Sequence, residues 1–188
     1  MDIKNLAIVR QSYANTVFTH KVQEVAAQAQ SNNADKIKIL NIVITAVVLI
    51  LLVVQTACPS EIILSYIAAG ITVAEVVFLI VQLTFNFDQK SVLHKNSALK
   101  YMGLRDQYRL LIADIMNDTL DEKNIMSRRD SLQYQYQVIS DLAPQTSPEN
   151  YTDAQKRLNK RGAISGEEFT WSDEEIDWFL PETLRLKK

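Results

Sequence analysis

Two long apolar runs, separated by only a few positions, limit what this chain can fold into more than any other feature. After Lys36 and Lys38 the sequence "ILNIVITAVVLILLVVQTACPS", residues 39–60, carries no charge. Wound as a helix, these positions span roughly 33 Å, close to the ~30 Å hydrocarbon core of a bilayer. From Ile42 to Val54 every face is apolar except at Thr45. A helix that is apolar all round belongs in a core or in lipid. Cys58-Pro59-Ser60 ends the run, because proline disfavours helical geometry in the residue before it. The second run, Ile62 to Phe87, lies between Glu61 and Asp88 and contains one charge, Glu75. A central acid costs about 3 kcal/mol on insertion scales, whereas each Leu, Ile, Val or Phe returns roughly 0.3–0.6 kcal/mol. About fifteen such residues in the run outweigh it.

A soluble chain of 188 residues could hardly bury two such helices on all sides, and a signal peptide neither starts some forty residues in nor leads into a second span. The expectation is a transmembrane hairpin over residues 36–88, with spans at about 39–58 and 62–87. Lys4, Arg10, Lys21, Lys36 and Lys38 precede it; Lys90, Lys95, Lys100, Arg105 and Arg109 follow it; the connection has only Glu61. The positive-inside rule then puts both termini in the cytoplasm.

Within the second run Ser65, Thr72, Glu75, Gln82 and Asn86 recur at intervals that place them on one face, with Ala68 and Leu79 in the gaps. The first run has a weaker counterpart in Asn41, Thr45 and Gln55, with Val48 and Leu52 between. An intramembrane acid faces a bundle interior or water. Neither run contains an Arg, Lys or His to neutralise Glu75. Three readings stay open. Several hairpins in a ring would line a pore with these seams, where a ring of carboxylates takes up protons or collects cations. The seam would otherwise be hydrogen-bonding glue between helices, or part of a proton relay. Gly70 with Ala68, Ala69 and Ala74 allows close helix approach and favours oligomerisation under either of the first two.

Outside the runs the pattern is helical. Leu6, Val9, Tyr13, Val17, Val22 and Val25 mark an amphipathic helix from about Ile3 to Gln30 within residues 1–35, with "SNNAD" as a turn before the span. Leu93, Ser97, Tyr101, Leu104, Tyr108, Leu111 and Ile115 alternate four and three, predicting a packing helix from about Asp88 to Asn117, continuous with the span. "NDTLDEKN" interrupts it, a helix from about Asp121 to Leu142 follows, and Pro144 and Pro148 mark a loop before a shorter helix at Thr152–Lys160. In "WSDEEIDWFLP", Ser172 and Glu175 form a capping box, Trp171 and Ile176 a staple, and Pro181 a stop. Residues 89–188 are thus a cytoplasmic helical region, and the class is an all-α membrane protein: a two-helix transmembrane hairpin with a cytoplasmic helical bundle. With four glycines and no alternating strands, the composition agrees.

Lys156 beside Lys160 and Arg157 beside Arg161 could offer a basic face for an anion or partner, although a solvated face is the commoner explanation. One cysteine and two isolated histidines, His20 and His94, point to neither a disulfide nor a metal site. Without a phosphate-cradling loop, nucleophile elbow or paired ligand motif, no enzyme activity and no cofactor are expected. The net charge of −2 gives no pull toward nucleic acid.

The order of these segments, together with "HKNSALKYMGLRDQYRLLIADI", "RRDSLQYQYQVISDLAPQTSPENYTDAQKRL" and "FTWSDEEIDWFLPETLR", resembles the SLATT family, two-transmembrane effectors associated with SMODS nucleotidyltransferases and SLOG domains. The resemblance covers nearly the whole chain. It implies an oligomeric, pore-forming effector of a bacterial antiviral conflict system, acting at the inner membrane when a nucleotide signal or partner sensor triggers it. The alternative is a non-conducting, membrane-anchored helical scaffold. The resemblance assigns no site residues; the Glu75 seam comes from the helical projection alone.

Overall fold

The computed structural model describes residues 2–57, 62–158 and 170–186. The elements are α1 (Ile3–Ala57), α2 (Ile62–Phe85), α3 (Phe87–Met116), α4 (Glu122–Leu142), α5 (Pro148–Arg157), α6 (Asp173–Phe179) and a short 3-10 turn at Glu182–Leu184. All regular structure in the described residues is helical, as the patterning predicts. Two compact units divide the chain: Gln28–Ser91, and Met1–Ala27 with Val92–Lys188.

The second of these is a helical bundle. Leu6, Val9, Tyr13 and Val17 of α1 meet Leu104, Tyr108, Ile112 and Ile115 of α3 in one core, completed by Ile125 and Leu132 of α4 and Ala154 of α5. Trp171, Ile176 and Leu180 from the C-terminal segment are buried in that same core. The α6 capping box forms as its sequence predicts: Ser172 accepts from Glu175 N, and Glu175 accepts from Ser172 N. Arg10 is the unexpected member, only 1% exposed. Its Nη2 donates to Asp177 at 2.7 Å and to Asp173 at 3.3 Å, while Nη1 donates to Leu184 O at 3.4 Å. Gln11 adds a reciprocal pair, donating to Trp171 O and accepting from Trp171 N. Asn15 accepts from the Trp171 indole, and Tyr13 donates to Phe179 O. One turn and a half of α1 therefore grips the backbone and carboxylates of residues 171–184.

The chain differs from the sequence reading at three boundaries. "SNNAD" is helical, so α1 runs unbroken from Ile3 to Ala57. Its polar residues are neutral or only slightly poor helix formers, and without Gly or Pro nothing local stops the helix. Asn86, at φ 39°, separates α2 from α3, where continuity was expected. Asparagine tolerates this left-handed conformation, and its side chain caps α3 by accepting from Gln89 N. Helix α5 starts at Pro148 rather than near Thr152, because Ser147 and Asn150 build a capping box ahead of it and proline suits the first helical position. The expected stop at Cys58-Pro59-Ser60 lies outside the described residues.

Candidate functional site: a polar seam inside an apolar hairpin

The hairpin unit is apolar outside and carries polar rungs inside. Ile63, Tyr66 and Leu83 are 70, 75 and 80% exposed, and most large side chains of both helices point outward in the same way. In the most apolar stretch of each helix only 6% is buried. Water would make such a surface unfavourable by roughly 25 cal/mol for every Å² of apolar area; lipid removes that cost.

The inner face reads Asn41, Ile44, Thr45, Val48, Leu51 and Gln55 on α1 and Ser65, Ala68, Ile71, Glu75, Phe78 and Gln82 on α2. Apart from the adjacent Ile44 and Thr45, these positions step by three and four, the spacing of two helices packed along a shared seam. Antiparallel rungs join them. Gln55 Nε2 donates to Ser65 Oγ at 2.8 Å, and Thr45 Oγ1 donates to Glu75 Oε1 at 2.5 Å. Between them Val48 and Ala68 are buried, the small Ala68 side chain permitting close packing. Lys38 Nζ donates to Asp88 Oδ1 at 2.8 Å beyond the charged end. Nearer that end, Asn41 Oδ1 and Gln82 Oε1 are buried without a hydrogen-bond partner.

Of the residues singled out from sequence, Ser65, Glu75, Gln82, Asn41 and Thr45 fall on this seam. Thr72 and Asn86 are exposed beside it. Thr72 needs no partner helix, since its hydroxyl donates back to Ala68 O at 2.8 Å. Ile71, Phe78 and Leu51 occupy inward positions that the projection gave to Thr72, Leu79 and Leu52. The choice by polarity was misleading there, because a threonine can satisfy itself on its own helix. A Cβ placed on Gly70 would meet nothing within 4 Å, so Gly70 faces open space and not the α1–α2 contact. The Lys38–Asp88 pair was missed, although charges bounding both runs were its visible signal.

In the basic segment, Lys156 is exposed and pairs with Asp153 at 3.6 Å, and Arg157 is exposed. Lys160 and Arg161 lie outside the described residues. No group of three or more His, Cys, Asp or Glu among the described residues is placed to hold a metal ion.

An all-α chain with two long helices, each apolar toward its surroundings and joined by polar rungs, is a two-span membrane protein. Residues 6–175 match the family described as SMODS and SLOG-associating 2TM effector domain family 4. The chain belongs to that family, as the resemblance in its sequence implied, and so is a membrane effector of conflict and defence systems whose family is associated with SMODS and SLOG proteins. No curated protein and no solved structure matches it significantly.

Proposed function

We propose that this protein is an oligomeric effector that permeabilises the bacterial inner membrane when a nucleotide signal or a partner sensor activates it, with both termini in the cytoplasm. It acts by conduction and not by catalysis. The observation that carries this reading is Glu75, an acid set in an otherwise uncharged span and held by one hydroxyl, Thr45. Two helices packed along one seam enclose no lumen. A conducting state therefore needs several copies, with the seam opened so that Glu75, Gln82 and Asn41 face a common axis. Desolvated carboxylates and amide oxygens around such an axis suit cations. In the single hairpin Thr45 occupies Glu75, which suits a closed resting state. Basic residues on both flanks and Glu61 alone in the connection support the orientation.

The test is induced expression with a membrane-potential dye. Glu75→Ala and Gln82→Leu are expected to slow or abolish depolarisation at matched membrane levels. Depolarisation equal to the parent's in both variants overturns the reading. A second reading, a non-conducting anchored scaffold, is favoured by one specific feature: Gln55–Ser65 and Thr45–Glu75 already pair within one hairpin. Polar rungs of that kind can act as glue alone.

A further inference from the structure

We propose that the charged end of the hairpin binds the headgroup of a glycerophospholipid that carries a terminal hydrogen-bond donor, such as an ethanolamine ammonium or a glycerol hydroxyl. A cleft of about 170 Å³ lies there, walled by Ala34, Ile37, Leu83 and Phe87 and by the polar Gln82, Asn86 and Asp88. It exceeds the ~30 Å³ that one water occupies in the liquid. Its chemistry is divided to match such a headgroup. Leu83, 80% exposed, joins the cleft to the lipid-facing surface of α2, so a lipid backbone can enter without leaving apolar contact. Lys90 Nζ stands 5.9 Å from the centroid of the Phe87 ring and has no carboxylate within 4 Å among the described residues. Its charge is free for a phosphate. Lys38, by contrast, is already held by Asp88 at 2.8 Å and lies 4.0 Å from Asp35.

Acceptors complete the site. Only Oδ1 of Asp88 takes the Lys38 bond, and Asp88 is well exposed. Gln82 Oε1 is buried out of reach, so the acceptor open to the cleft is the second carboxylate oxygen of Asp88, Oδ2. A headgroup ending in N–H or O–H can donate to Asp88 Oδ2. A choline headgroup cannot, since its quaternary ammonium has no proton to donate. The inference needs the hairpin to span a bilayer but does not depend on conduction.

Native mass spectrometry of the full chain extracted in detergent, exposed to equal amounts of phosphatidylethanolamine, phosphatidylglycerol and phosphatidylcholine with identical acyl chains, tests it. Retention of the first two is expected to exceed that of phosphatidylcholine. Lys90→Gln should lower their retention roughly fivefold, the factor one lysine contributes near a lipid surface, and Lys90→Arg should restore it. Lys123→Gln, an exposed lysine of α4, should change nothing. Equal retention of all three lipids by the parent overturns the proposal, as does Lys90→Gln retention matching the parent's.

Discussion

Burial of His94 makes the bundle sensitive to mild acid. Its Nδ1 lies 2.7 Å from Gln23 Oε1, and the Gln23 amide is oriented by donating Nε2 to Pro144 O, so His94 Nδ1 must carry the proton. Burial holds this imidazole below its ordinary value of 6.5. His20 is lowered too, first by burial and then by the Arg105 charge. As pH falls below about 6.5, the unfolded chain takes up protons that the folded chain refuses, and stability declines until the folded value is passed. Above 6.5 the two states bind alike and these histidines add no slope. Urea unfolding between pH 5 and 7.5 is expected to show this decline, and His94→Gln, which can still donate to Gln23, should remove His94's share. An unchanged slope in that variant would place the effect elsewhere. Arg10 gives a second expectation. Removing it leaves Asp177, 18% exposed, beside a buried gap, so Arg10→Ala should cost about 3 kcal/mol in the same measurement, the low end for a broken buried pair because Asp173 is open to solvent. Sequence could flag His94 only as isolated, and it counted Arg10 among topology-setting charges. Neither burial nor the clasp on residues 171–184 has a local signature, since each depends on partners more than seventy positions away.

Elements were legible wherever a local signal decides them. The α6 capping box and the heptad-like α3 follow from neighbours within a turn or two, whereas Pro148, which the sequence reading placed in a loop, heads α5. The turn expected at "SNNAD" fails for the same reason in reverse: polarity suggests a loop, yet no Gly or Pro breaks the backbone, and the helix continues. The break at "NDTLDEKN" is real and has a definite form. Thr119 N donates to Asp114 O and Asp118 N to Ile115 O, the two bonds of a Schellman closure with Asp118 at the left-handed position, φ 56°. Glycine fits that conformation without a Cβ clash, so Asp118→Gly should stabilise the bundle by about 0.5–1 kcal/mol. A lower unfolding midpoint in that variant would mean the Asp118 side chain does more than tolerate the turn. On the hairpin, the period of the seam was readable from sequence but its exact phase was not. Which of two adjacent stripes turns inward depends on the facing helix: Ile71 and Phe78 are half-buried while Thr72 and Leu79 are exposed, a packing choice that polarity alone does not reveal.

For the molecule as a whole, the open question is whether the hairpin works or merely anchors. Its outward apolar surface is sufficient for an anchor, and any two-span hairpin of equal length would provide that. Its inner rungs are not needed for anchoring, because apolar side chains would pack there without the expense of placing Glu75 in a membrane. A seam kept at that cost argues for a state in which the acid is used. Replacing residues 36–88 with an unrelated hairpin of the same length, built of Leu and Ala and lacking internal polar groups, separates the possibilities. Met1–Ala27 and Val92–Lys188 remain intact in the chimera, so the bundle core and the Arg10 clasp are kept. Under the conducting reading the chimera reaches the membrane, folds, and fails to depolarise cells, while the parent elutes from a sizing column in detergent as a multiple of 21.4 kDa. A chimera that arrests cells as well as the parent makes the seam dispensable and assigns the effect to the bundle. A parent that is monomeric at every concentration removes the shared axis on which Glu75 would have to act.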